Sequence, residues 1–194
     1  MSTALKMPRR HMTVAEFMDW DSGDRTGARW QLRDGEPEMM APASDRHGTI
    51  QARLAHRLTA HFQARGGRCR AVINPGVIPR LRAEENCLVP DIGITCTPNT
   101  GAHMLPDPVA LIEILSPSSQ SETRANVWAY ATIPTVIEIV ILRSTSIAAE
   151  VLRRGADGSW PEQPKIVGDA GELRIDSVGF AEPLRSAYRG AGLG

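Results

Sequence analysis

Val109-Ala110-Leu111-Ile112-Glu113-Ile114-Leu115-Ser116-Pro117-Ser118 is the stretch on which the fold turns. Seven residues, apolar except for Glu113 and closed by Ser-Pro-Ser, read as a largely buried β-strand. Upstream, Leu88-Val89-Pro90-Asp91-Ile92-Gly93-Ile94 repeats the arrangement, with Asp91 set into a second apolar run. An unpaired carboxylate is costly to bury, so each acid needs an ion pair, hydrogen bonds or a metal. Either acid alone is explained by an ion pair with one of the chain's many arginines. Two acids on strands that can be neighbours point instead to a divalent cation held by oxygen ligands, Mg²⁺ or Mn²⁺. The backbone carbonyl of Ile114 is a candidate further ligand. This donor set suits phosphodiester hydrolysis, in which the cation polarises a phosphate and generates the attacking hydroxide.

Working outward, Thr13-Val14-Ala15-Glu16 is a capping box that starts a short helix reaching about Trp20. Asp34-Gly35 between residues 29–33 and 36–41 is a hairpin signal. Ile50, Leu54, Leu58 and Phe62 recur every fourth residue, which predicts a helix from about Arg46 to Ala64, capped by Ser44 or Asp45 and ended by Gly66-Gly67. Strands are expected near 69–73, 77–82, 88–95 and 109–115. A helix over roughly 120–131 follows, with Ser118 as its cap. Strands near 136–142 and 147–153 make a second hairpin, and short strands near 165–168 and 172–176 precede a short helix near Leu184. The order predicts an α/β (α+β) domain over residues 12–188, a central mixed β-sheet flanked by helices, with flexible tails at 1–11 and 189–194.

The 194 residues carry no net charge, yet the distribution is uneven. From Arg46 to Ala83 there are eight arginines and three histidines without one acid. Such a face suits a phosphate backbone, with Arg46, Arg53, Arg57, Arg80 and Arg82 as the contacts expected to grip DNA. A solvated face balanced by acids elsewhere is the plainer alternative. No apolar run is long enough to span a bilayer, and no secretory signal opens the chain, so a cytoplasmic protein is expected. Cys69, Cys87 and Cys96 are odd in number and form no CxxC pair, which argues against a disulfide framework and against a zinc site. Trp128 and Tyr130 are expected to pack in the core.

The ordered set Asp34-Gly35-Glu36, Met40-Ala41-Pro42, Ser44 to His47, Pro90-Asp91, Glu113 to Ser118 and Ala129-Tyr130 resembles the Uma2 family, part of the PD-(D/E)XK nuclease superfamily. The resemblance runs from about Met12 to Arg154. It implies a restriction-endonuclease-like core, a Mg²⁺ site at Asp91 and Glu113 and a homodimer; the acid pair together with the acid-free arginine segment makes DNA the expected substrate. The superfamily's lysine falls at Leu115 by the motif spacing. Uma2-like proteins carry it on the next helix, four residues before a tyrosine, and that position is Asn126 here. The only lysines are Lys6 and Lys165. Arg124 and His47 are the candidate substitutes, Arg124 for charge and His47 for proton transfer. Glu122 matches the family's acid on that helix, and Glu36, just after the Asp-Gly turn, is a candidate for the cleft mouth or simply an exposed hairpin residue. The family's Tyr-Glu-Leu is Trp30-Gln31-Leu32. A nuclease, a catalytically degenerate binding module and a small-molecule phosphoesterase all remain compatible with these residues.

Overall fold

The computed structural model describes residues 11–117 and 120–193. Lys6 and the proposed cap Ser118 lie outside the described residues. Thr13 caps α1 (Val14–Met18) through the predicted capping box. The hairpin β1 (Trp30–Arg33) and β2 (Glu36–Met39) turns through Asp34 and Gly35, both at positive φ (48° and 76°), as a tight two-residue turn requires. Ser44 caps α2 (Asp45–Ala64) by accepting from the His47 amide. The apolar stripe of α2 is buried as its periodicity predicts.

Six strands form the central sheet: β3 (Arg70–Ile73), β4 (Ile92–Thr95), β5 (Pro108–Leu115), β6 (Glu138–Arg143), β7 (Ala149–Arg153) and β8 (Lys165–Val167), in spatial order 3-4-5-6-7-8. Only β5 and β6 run parallel, and α3 (Gln120–Tyr130) makes the crossover between them. A hairpin of β9 (Glu172–Ile175) and β10 (Phe180–Pro183) and the short α4 (Arg185–Tyr188) complete the chain. The fold is the expected mixed α/β arrangement with helices on both faces of a mixed sheet.

Side-chain alternation along β5 divides the core. Ala110, Ile112 and Ile114 face α2 with Ile92, Ile94, Val140 and Leu142. Leu111 and Leu115 face α3 with Val127, Tyr130, Ile139 and Ile141. Glu113 lies between Leu111 and Leu115, so it points at α3.

Several expectations are corrected. Residues 77–82 form no strand; only Val77 bridges to Leu88, and the chain then turns through 81–85. Pro75 and Pro79 cannot donate to a ladder, and Ile78 and Leu81 stay exposed. β4 starts at Ile92 rather than Leu88 because Pro90 interrupts pairing. β10 was not anticipated. Cys69 and Cys96 are joined in a disulfide: β3 and β4 pair Arg70 with Thr95, which sets the two cysteines opposite one another at the next position. An odd count carried no information about that register, and the argument against disulfide bonding is corrected by this one bridge, with Cys87 left free. Trp128 is 70% exposed rather than packed in the core, whereas Tyr130 is fully buried. Residues 189–193 do not hang free: Ala191 is buried, and the Arg189 and Ala191 carbonyls accept from Arg53 and Arg46 on α2.

Candidate active site

The antiparallel ladder pairs Ile92 with Ile112, so one position further on Asp91 sits beside Glu113. Both carboxylates are buried, at 8% and 6% exposure. Each is held by named donors. Asp91 Oδ2 accepts the Ile114 amide at 2.7 Å, and Asp91 Oδ1 lies 2.8 Å from His47 Nε2. Glu113 Oε1 accepts from the Tyr130 hydroxyl at 2.7 Å and from Asn126 Nδ2 at 3.4 Å. Gln51, one turn after His47 on α2, donates to the Asp91 carbonyl at 2.8 Å and to Asn74 Oδ1 at 3.0 Å. Helix geometry explains the convergence. His47 and Gln51 stand four residues apart on α2, as do Asn126 and Tyr130 on α3, so each pair shares a helix face. The two helices thus clamp the acid pair from opposite sides of the sheet.

The electrostatics are those of two buried carboxylates in close contact, of which Glu113 has no cationic side chain hydrogen-bonded to it among the described residues. Burial, then the neighbouring charge of Asp91, pushes Glu113 up from 4.5 to about 8, against the lowering effect of its hydrogen bonds from Tyr130, Asn126 and the Asp91 backbone. Burial and the Glu113 charge push the Tyr130 phenol well above its ordinary value. Asn126 Oδ1 is buried with no hydrogen-bond partner among the described residues. Two carboxylates and an unspent amide oxygen make a hard-oxygen donor set, and their charge conflict is one that a divalent cation relieves. The residues therefore fit Mg²⁺ or Mn²⁺, although no cluster of three or more His, Cys, Asp or Glu side chains with metal-binding geometry occurs among the described residues.

Other predicted site residues lie elsewhere. Arg124 does not face the acid pair: its guanidinium is bidentate on Glu150 of β7 at 2.6 and 2.8 Å. Glu122 is exposed on the first turn of α3, and Glu36 is half-buried on β2 opposite Arg33. Among the arginines expected to grip DNA, Arg46 and Arg53 donate to the Ala191 and Arg189 carbonyls and Arg57 pairs with Glu182. Arg82 pairs with Asp34 at 3.1 Å, and Arg80 is exposed. The C-terminal segment thus occupies much of the basic face of α2. Sequence reasoning missed the parts played by Gln51 and Tyr130. A signal existed for each: both sit at four-residue spacing from a named candidate, and Gln51 is a polar residue on the buried side of an apolar stripe.

The sequence profile of Uma2, described as "Putative restriction endonuclease", matches residues 14–180. The chain belongs to the Uma2 family. An uncharacterized Synechocystis protein, slr1290, is 25% identical over 186 residues, which cover 94% of each chain. A solved structure from Anabaena variabilis, titled as a "putative nuclease belonging to DUF820", superposes with a TM-score of 0.71 over 92% of this chain and 98% of that one, at 16% identity. That likeness establishes a shared fold. The acid pair of this Uma2 protein lies within the matched region, Glu113 on β5 and Asp91 immediately before β4.

Proposed function

We propose that this Uma2 protein is a divalent-metal-dependent nuclease that hydrolyses DNA phosphodiester bonds. The observation that carries the reading is the buried, adjacent pair Asp91 and Glu113, two carboxylates whose mutual repulsion a cation would relieve. The family description, a restriction endonuclease, supports the same chemistry. Asp91 and Glu113 would hold Mg²⁺ or Mn²⁺, with the Ile114 carbonyl as a further oxygen ligand. When bound, the cation would polarise the phosphate and acidify a water. The Ile114 amide and His47 fix the orientation of Asp91, while Tyr130 and Asn126 fix that of Glu113. His47 donates from Nε2 to Asp91 Oδ1 and would take up a proton at its other ring nitrogen, Nδ1, and pass it to solvent. Asn126 can hold a water through Oδ1 but cannot lower its pKa, so turnover is slow.

The test is cleavage of plasmid and oligonucleotide DNA with Mg²⁺ and with Mn²⁺ by wild type, Glu113→Ala and Asn126→Lys. Metal-dependent cutting by wild type that Glu113→Ala abolishes supports the reading. A silent wild type with an active Asn126→Lys would favour a catalytically degenerate binding module. One feature already leans that way: the neutral Asn126 stands where Uma2-like proteins carry lysine, and Arg124 is drawn off to Glu150. Silence from all three would remove the support for DNA cleavage.

A further inference from the structure

We propose that Arg124 and Arg143, gathered on the buried carboxylate of Glu150, form a clamp for the sugar–phosphate backbone beside the acid pair. This rests on the reading of the site as one that acts on nucleic acid. The strand registers supply the geometry. Glu113 pairs with Ile141 on β6, and Ile141 pairs with Glu150 on β7. Glu113, Ile141 and Glu150 therefore form one row across three adjacent strands, and Asp91, the residue before β4, sits beside Glu113 at its end. Paired residues share a face of a sheet, and Ile141 packs in the cluster beneath α3. Glu150 thus projects to the same side as Glu113, two strand spacings away, or about 10 Å. That is roughly three nucleotide steps at the rise of one DNA strand.

Glu150 is 2% exposed, yet the two arginines it holds are not buried with it: their side chains are 39% and 45% exposed. Arg124 takes the carboxylate bidentately, and Arg143 adds a bond at 3.0 Å from the end of β6. Arg143 lies two residues past Ile141, so its side chain leaves the same face. One buried negative charge thus anchors two half-exposed positive ones, leaving a net positive site of fixed geometry. The Arg46 guanidinium approaches the carbonyl of Ser144, the neighbour of Arg143, and Arg46 adjoins His47 at the acid pair. Guanidinium forks match phosphate oxygens in shape and charge, and a carboxylate that fixes them reduces the entropy lost on binding. An ion pair kept only for stability has no need to keep its cations at the surface in line with the acid pair.

The experiment is fluorescence-anisotropy binding of a labelled 20-base-pair duplex in EDTA, across a series of KCl concentrations. It compares wild type, Arg143→Gln, Arg143→Lys and Arg124→Gln, with thermal melts to confirm folding. Arg143→Gln is expected to weaken binding about ten-fold and to lower the slope of log K against log salt by about 0.9, one phosphate contact. Arg143→Lys should keep the slope. If the folded Arg143→Gln and Arg124→Gln proteins match wild type in affinity and slope, or wild type binds no duplex, the clamp is overturned. The nuclease reading is judged separately by metal-dependent cleavage. Cleavage with an unchanged slope sinks the clamp alone, and a reduced slope without cleavage sinks the nuclease reading alone.

Discussion

Glu113→Gln is expected to change how stability depends on pH in a direction set by burial. In the native protein Glu113 holds its proton up to about pH 8, against 4.5 for an ordinary glutamate. Between those values the folded state carries a proton that the unfolded chain has released. Raising the pH through this window therefore favours unfolding, by at most about 1.4 kcal/mol per pH unit for one group. Glutamine resembles the protonated acid and can accept from Tyr130 and Asn126 as Glu113 does, so the variant should lack this component of the slope. Urea unfolding at pH 5, 6, 7 and 8 in EDTA measures the difference, with the m-value checking that the same transition is compared. The variant should gain on wild type by a few kcal/mol from pH 5 to pH 8. Excess Mg²⁺ at pH 8 should then restore wild type alone, by about 2.7 kcal/mol at a hundred-fold excess over Kd. A wild-type to variant difference that stays constant from pH 5 to pH 8 would refute the account of Glu113 as a proton-holding buried acid.

Three further outcomes follow from the geometry. Tyr130→Phe removes the 2.7 Å donor to Glu113; a hydrogen bond to a charged group is worth about 1.5–3 kcal/mol, so Mn²⁺ affinity by calorimetry should fall roughly ten-fold or more, and unchanged affinity would count against Glu113 as a ligand. Gly93→Ala places a Cβ 2.5 Å from Leu105 Cδ2 and 2.8 Å from Pro75 Cγ, and overpacking of this kind should lower stability by about 1–3 kcal/mol in urea titrations. Reducing Cys69–Cys96, which spans 27 residues, or replacing both cysteines with serine, should cost about 2–4 kcal/mol; dithiothreitol should lower the Tm of wild type to that of the double-serine protein, whose own lowered Tm it leaves unchanged.

What the sequence disclosed was local. The capping box at Thr13, the Asp34-Gly35 turn and the four-residue stripe of α2 each depend on neighbours within a turn or two, and each formed as expected. The acid pair was legible for a different reason: a carboxylate inside an apolar run is a physical anomaly wherever the chain goes. The rest depended on distant partners. Nothing near Arg46 or Arg53 announces that carbonyls 145 and 136 residues away will take their guanidinium groups. Nor does the spacing of Cys69 and Cys96 reveal a strand register.

Arg124 is the exception, because its placement was open to local reasoning. Successive helix residues turn by about 100°, so residues two apart are separated by about 200°. Once Asn126 and Tyr130 face Glu113, Arg124 must point nearly the opposite way. It cannot stand in for a lysine at position 126, however close it lies in sequence. The same rotation aligns Arg124 with Trp128, four residues on and exposed, and brings its guanidinium to Glu150 on β7. The chain has therefore not moved the missing lysine's charge by two residues along α3. The Arg124 guanidinium sits instead on Glu150, two strands away from Glu113. At two strand spacings, about 10 Å, it is too far to act on a water held between Asp91 and Glu113.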